Sequence, residues 1–353
     1  MKKLLSINSI KKKFAVRLLQ VGICISLPTA NCLLPTCLFS QDIHFARFWM
    51  TPLLLNPAQA GAEHDMRTII NYRNQWNSVA TPYSTANVSF DMKLGKKKLT
   101  KGFSAVGINV FQDQAGDAKM KTLYGSIAYA YHIFLNKEST LGAGLYGGFA
   151  QRSINYSNLQ WMNQYDGSSY QQSLPSYEPS GGTSLTYPDL GGGLHYEYGK
   201  DKIDFSAGAA LFHATQPNYS FYGTSEKLNM KITGHANAQI RLSNSNFSFV
   251  PGMVYFQQGK STELLLGTLF RYILKEESRS GKQGAAVALG AHYRNKDAVV
   301  PVLMLEFAQF NIGLSYDVNV SQLSTASSGK GGFEISLRFV HPNPFLAKSA
   351  SRI

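Results

Sequence analysis

The chain has 353 residues, a formal net charge of +13 and three cysteines, Cys24, Cys32 and Cys37. All three lie in the first forty residues, so the remainder can form neither a disulfide nor a zinc site with cysteine ligands. The first forty residues also carry six basic and no acidic side chains, and the net charge without them is +7. No basic helix with interleaved aromatic residues follows, which argues against nucleic acid as a partner.

Residues 1–40 have the layout of a secretory signal peptide. A long basic region is followed by the apolar stretch Leu18–Phe39, which two prolines interrupt, and by a plausible cleavage point between Ser40 and Gln41. Export signals have this order, whereas a membrane-spanning helix needs a longer unbroken apolar run. We therefore predict that an N-terminal signal peptide exports the chain.

Alternating apolar and polar residues begin at Thr68 and continue in segments of about ten residues. Successive side chains of a strand point to opposite faces, so each segment predicts an amphipathic β-strand. The predicted strands are 68–76, 83–94, 101–113, 120–134, 139–154, 188–198, 203–213, 229–242, 247–257, 262–274, 284–294, 298–308, 310–318 and 333–341.

These strands predict a membrane barrel rather than a soluble β-sandwich. The chain holds 31 Gly, 19 Tyr and 21 Phe, and small and aromatic residues are frequent on the apolar faces. A closed barrel leaves no strand edge unpaired in the membrane. We predict an all-β outer-membrane barrel of about fourteen antiparallel strands over 68–341, with an N-terminal segment at 41–67 and a tail at 342–353. The three longest connections, at 155–187, 214–228 and 319–332, then fall on the cell exterior.

The interior of the predicted barrel must hold the charges found within or beside strands. A charged side chain on the lipid face costs a few kcal/mol near the bilayer midplane, so these residues should point into the lumen. They are Arg73, Asp91, Arg294, Asp297, Asp317 and Glu334. The apolar stretch Ile43–Leu55 can plug the barrel or cap its periplasmic mouth.

Motifs spread over the whole exported chain resemble the PorP/SprF family of outer-membrane proteins of the type IX secretion system of Bacteroidota. The order and spacing of the motifs make the resemblance specific, although each is weak alone. The family-motif residues are Asn56, Pro57, Arg73, Gln75, Trp76, Pro82, Tyr83, Arg294, Asp297, Ser315, Tyr316 and Asp317.

The resemblance implies an outer-membrane barrel that binds, escorts or anchors a secreted, adhesin-type surface protein through its C-terminal sorting domain. The implied partners are this cargo, components of the type IX translocon and outer-membrane lipid, in a setting of gliding motility or adhesin export. An outer-membrane pore or transporter for small solutes is the alternative.

Catalysis is not predicted, and neither is a cofactor or a metal. The eight histidines are scattered without metal-ligand spacing, and no Gly-x-Ser-x-Gly elbow is present. Scattered residues can still form a triad, so an outer-membrane hydrolase stays open as an alternative.

The long connection 155–187 is the candidate partner-binding region. It carries Trp161, Tyr165, Tyr170 and Tyr177 beside Gly and Ser, and amphipathic aromatic residues on an adaptable backbone are typical of binding surfaces. The alternative is a loop that only closes its own barrel.

Overall fold

The computed structural model describes residues 42–76, 81–95, 101–178, 181–275 and 284–341. The predicted signal peptide, residues 1–40, and the predicted tail, residues 342–353, lie outside these ranges. Within the described ranges, no helix has the length and apolarity needed to cross a membrane.

Fourteen strands form one closed barrel, which confirms the predicted architecture. Each strand pairs antiparallel with its neighbours in sequence, and the first strand pairs with the last. The strands are β1 Met66–Gln75, β2 Tyr83–Leu94, β3 Gly102–Ala115, β4 Met120–Phe134, β5 Ser139–Ser153, β6 Ser184–Lys200, β7 Ile203–Phe212, β8 Lys231–Arg241, β9 Phe247–Gln258, β10 Ser261–Lys275, β11 Ala285–Arg294, β12 Ala298–Phe307, β13 Phe310–Asn319 and β14 Lys330–His341.

The largest difference from the predicted boundaries is at β6, which begins four residues before the predicted start at Pro188. Proline lacks a backbone N–H, and in a sequence it reads as a strand boundary. Here Pro188 pairs with Phe149 inside the ladder, and pairing continues to Ser153 and Ser184. The long connection therefore ends earlier than predicted, at residue 183.

The barrel has two different ends. The connections 154–183, 213–230 and 320–329 all lie at one end, called the long-loop end below, as their predicted order required. The opposite end, called the short-turn end, includes the tight connections 135–138, 201–202 and 308–309.

The outside of the wall is apolar, whereas the inside combines polar and charged side chains with apolar ones. Exposure alternates along β13 at every residue, and large apolar side chains such as Leu145, Phe149 and Ile127 are 71%, 66% and 63% exposed. Such an apolar belt matches the lipid-facing band of a membrane barrel. Other apolar strand residues, such as Tyr146, Leu265 and Val300, face inward and are buried.

Residues 42–65, called the inner segment below, pack against these strand residues and complete the core. Asp42 lies at the long-loop end, where its backbone N–H donates to Gln258 Oε1 at 2.8 Å. Asp65 lies at the short-turn end, 3.2 Å from Lys93 Nζ. Between them the apolar side chains of Phe48, Met50, Leu53, Leu55, Ala58 and Ala60 are buried. The segment thus runs through the lumen from one end to the other.

Candidate functional site

Inward-facing glycines let the inner segment approach the wall closely. A Cβ on Gly144 of β5 would lie 2.6 Å from the backbone nitrogen of Ala58, and one on Gly193 of β6 would collide with the Asn56 side chain. Any larger residue at these places would displace the segment, so glycine here creates the space that the segment fills.

Asn56 is the central anchor of the inner segment. Its side-chain Nδ2 donates to the Leu194 carbonyl at 2.8 Å, and its Oδ1 accepts from the Ala58 N–H at 2.9 Å. Pro57 opens a short 3₁₀ turn, where its missing N–H leaves no unmet donor. A buried amide needs such partners, because an unsatisfied one is destabilising. The Asn-Pro-Ala motif therefore fixes the segment against β6.

A buried charge network links the inner segment to the seam between β1 and β14. Arg73 and Glu334 are direct register partners across this seam and form an ion pair. Arg73 also contacts Asp317 at 2.7 Å, and Arg294 contacts the same carboxylate at 3.0 Å. Charges buried in this way need paired, hydrogen-bonded surroundings.

Glu334 also holds the inner segment directly. The backbone N–H groups of Ala46 and Arg47 donate to its two carboxylate oxygens at 2.7 and 3.3 Å. The Arg47 side chain is almost fully buried and lies 3.8 Å from Glu334. One carboxylate thus joins β1, β14 and the inner segment.

Several family-motif residues meet at this network although they lie far apart in the sequence. Ser315 Oγ donates to Glu334 at 3.4 Å, and Asp297 accepts from Arg294 at 3.0 Å. With its amide oxygen turned inward, Gln75 accepts from Arg73 Nε at 3.0 Å. Beside them Trp76 packs edge-on against Tyr83. Of the other motif residues, Pro82 precedes β2 and Tyr316 points outward.

A second ion cluster lies at the short-turn end. Arg67 Nε donates to Asp91 at 2.9 Å, and Arg67 Nη1 donates to Glu63 at 3.0 Å. Asp91 also accepts from the Gly61 N–H at 2.9 Å. Burial alone would raise the pKa of Glu63, but Arg67 and His64 outweigh it and lower that pKa to about 2. The inner segment is therefore fixed at both ends by charge.

A histidine between two carboxylates holds the start of the inner segment. His213 Nε2 lies 2.6 Å from Asp42, and its Nδ1 lies 3.0 Å from Asp189. Burial would lower the pKa of His213, but Asp42 and Asp189 raise it to about 9. Burial would likewise raise the pKa of Asp42, but His213 and Lys231 hold it well below its usual range. Asp42 and His213 are both charged at neutral pH. This ion pair is called the latch below.

The predicted partner-binding residues lie in the connection 154–183. Tyr165 and Tyr177 are 55% and 81% exposed, while Trp161 and Tyr170 are partly buried. The connection bonds to itself, for example from Gln171 N–H to the Gln164 carbonyl at 2.7 Å. Tyr177 has a φ of +56°, a conformation that non-glycine residues seldom adopt.

A match to a protein-family model identifies the family of this chain. The family model described as type IX secretion system membrane protein PorP/SprF matches residues 38–339. The chain belongs to the PorP/SprF family. This PorP/SprF chain is therefore a type IX secretion membrane protein, and its barrel lies in the outer membrane.

Solved structures similar to this PorP/SprF chain are distant outer-membrane proteins. The CymD monoaromatic hydrocarbon channel is 12% identical over 83% of this chain and 94% of that one, with a TM-score of 0.43. A Pseudomonas aeruginosa FadL homologue is 8% identical over 78% and 90%, with a TM-score of 0.42. Similarity at this level carries no argument about function. None of the curated proteins compared with the chain matches it.

The PorP/SprF barrel has a cavity at its short-turn end. The cavity has a volume of about 480 Å³ and lies beneath Trp49, Glu63 and His64 of the inner segment. Its rim includes Lys137 and Glu138, which belong to the turn between β4 and β5. Within the described ranges, no group of three or more His, Cys, Asp or Glu side chains could hold a metal ion.

The structure adds residues to the PorP/SprF site that the sequence analysis did not identify. Arg47 and Asp189 are both deeply buried, and each contacts a partner that is distant in sequence. The only signal for Asp189 was a charge within a predicted strand, which also contains Glu197. The charges predicted to face the lumen are buried, except that Asp297 lies at the rim with a side chain 42% exposed.

Proposed function

We propose that this PorP/SprF barrel binds a secreted surface protein through the C-terminal sorting domain of that protein and holds or escorts it at the outer membrane. The observation that supports a binding role over transport is the inner segment. It runs through the lumen, and ion pairs of Asp42 with His213 and of Glu63 with Arg67 hold its two ends. A solute pore needs an open lumen, and a segment that runs through the lumen and is held at both ends disfavours one.

The binding surface of this proposal is the connection 154–183. Outer-membrane barrels turn short connections towards the periplasm and long loops outward, so this connection faces the cell exterior. Met162, Tyr165 and Tyr177 are all exposed in this connection, and we take these three side chains as the apolar, partly aromatic surface that the cargo contacts. Residues of this type contribute most to protein interfaces. Trp161 and Tyr170 support this surface from partly buried positions.

Co-purification from outer membranes tests the proposal. Tyr165→Ala combined with Tyr177→Ala should release one or a few large surface proteins from the purified barrel. The matched control removes two lipid-facing tyrosines, Tyr129 and Tyr131, and should leave the cargo bound. Retention of the cargo by the loop variant, with heat-modifiability on gels unchanged, would place the binding site elsewhere.

Deletion of the gene separates binding from transport. The proposal expects the loss of a few surface proteins, unchanged general secretion and unchanged solute uptake. Impaired uptake of one nutrient with normal surface proteins would instead support the transport alternative. We also propose that translocon components associate with the barrel and that the chain is not an enzyme, in keeping with a family of secretion membrane proteins.

The inner segment acts, in this proposal, as a plug. In planar bilayers the intact protein should show little ion conductance, and removal of residues 42–60 should raise it several-fold. Equal conductance of the two proteins would mean that the segment does not block the lumen.

A further inference from the structure

The cavity at the short-turn end has one closed side and one open side. The inner segment forms its roof through Trp49, and the rim at Lys137 and Glu138 lies among the short turns. Its volume of about 480 Å³ falls within the range of small-molecule sites, which is about 300–1,000 Å³. In a barrel with its short turns in the periplasm, a ligand reaches this cavity from the periplasmic side.

The upper part of the cavity is apolar. Val250, Leu269, Ala288 and Met304 line it together with Trp49. Leu269, Ala288 and Met304 belong to one buried cluster, against which Trp49 and Val250 pack. The indole ring of Trp49 also lies 4.8 Å from the ring of His292. This part of the cavity suits a hydrocarbon chain rather than a charged group.

One side of the cavity carries an arginine, Arg338 of β14, whose Nε is buried without a hydrogen-bond partner. No described carboxylate forms an ion pair with Arg338. The nearby charges are already engaged: Arg271 contacts Glu306 at 2.6 Å, and Glu63 contacts Arg67 at 3.0 Å. A guanidinium offers five N–H donors and no acceptor, so an anion is its natural ligand.

The carboxylates on the opposite side of the cavity do not favour a cationic ligand. Glu138 contacts Lys200 at 3.1 Å, Asp204 pairs with Arg241, and Glu197 lies 3.4 Å from His195. These carboxylates therefore already have basic neighbours. Arg338 therefore offers a guanidinium group, with a free Nε donor, to an anionic ligand.

We propose that this cavity is a binding site for an anionic amphiphile, a molecule with one carboxylate on an apolar chain. The carboxylate binds Arg338 and the chain lies under Trp49 against Val250, Leu269 and Met304. This site is separate from the exterior loop surface, so the proposal stands or falls independently of cargo binding.

Trp49 provides the probe for a test. The full exported protein with Trp76→Phe and Trp161→Phe retains Trp49 as its single tryptophan. In lipid nanodiscs, a decanoate brominated near the end of its chain should quench this fluorescence saturably. A protein with Trp49→Phe and the other two tryptophans retained measures quenching that arises from partition into the bilayer.

Variants then test the role of the arginine. Arg338→Ala should weaken binding by at least about tenfold, because it removes a charge-assisted hydrogen bond. Arg338→Lys should restore part of the affinity. Arg152→Ala changes an arginine at the other end of the barrel, stacked over Tyr219, and should leave binding unchanged.

Ligands of different charge test the same point on the unmodified cavity, even if a variant fails to fold. The brominated decanol and decylamine should bind at least about tenfold more weakly than the carboxylate. Equal binding of all three, or unchanged binding by Arg338→Ala, would overturn the proposal. Tighter binding of a short peptide with a free carboxylate than of decanoate would also overturn it, because the apolar chain would then not be what the cavity recognises.

Discussion

The inner segment and the connection 154–183 are both irregular pieces of chain, but they differ in what surrounds them. The inner segment is buried, and its polar atoms contact wall residues more than a hundred positions away. The connection 154–183 bonds mainly to itself and exposes aromatic side chains. Irregular structure inside a barrel must be satisfied by the wall, whereas a loop in water can keep its apolar groups for a partner.

The largest expected effect on stability comes from removing Glu334, whose charge joins the seam between β1 and β14 to the inner segment. Glu334→Ala leaves Arg73 and Arg47 without their shared partner, and breaking a buried pair costs about 3–5 kcal/mol. Urea unfolding in lipid vesicles should show this loss. The matched control is Glu138→Ala, whose partner Lys200 is exposed, and it should cost less than about 1 kcal/mol. Similar losses of unfolding free energy in both variants would contradict a larger role for the buried pair than for the exposed one.

A smaller effect is expected where the wall leaves space for the inner segment. Gly144→Val places atoms into the backbone of Ala58, and overpacking of this kind costs about 1–3 kcal/mol. A nitroxide label at Ile43→Cys should become more mobile while the barrel stays closed. Gly125→Val is the control, because a Cβ there meets nothing within 4 Å. If the label stays immobile in both the Gly144→Val and the Gly125→Val protein, the inner segment accommodates the larger side chain.

The latch should make the start of the inner segment sensitive to alkaline pH. The pKa of His213 rises from 6.5 to about 9 on folding. Its stabilisation is therefore complete below pH 6.5 and is lost as the pH rises through about 9. The label at Ile43→Cys should gain mobility across that window, and His213→Gln should abolish the change. A flat profile in the parent protein would contradict a charged latch.

The smallest expected effect on stability comes from a substitution in the connection 154–183. Tyr165→Ala removes a side chain that is 55% exposed, and such substitutions change stability by no more than about 0.5 kcal/mol. Urea unfolding beside the Glu334→Ala protein measures the difference directly. A loss above about 2 kcal/mol would mean that the connection is part of the folded core.

The strands were predictable because a membrane barrel repeats one simple rule, lipid on one face and lumen on the other. That rule located fourteen strands and directed Arg73, Asp317 and Glu334 inward. It could not show that Arg73 faces Glu334, because register depends on pairing across 261 positions. Nor could it show the path of the inner segment, since apolar residues at 43–55 fit a plug and a cap equally well. The plug role itself stays a prediction.

The seam between β1 and β14 imposes an order on assembly. The strands that close the barrel are the first and the last of the chain, and the inner segment bonds to Glu334 across that seam. A segment enclosed along its whole length cannot easily be threaded into a finished cylinder. The curling sheet therefore has to wrap around it, and the final closure must wait for the end of the chain. A chain lacking β14 would have no Glu334 carboxylate to accept hydrogen bonds from the backbone N–H groups of Ala46 and Arg47.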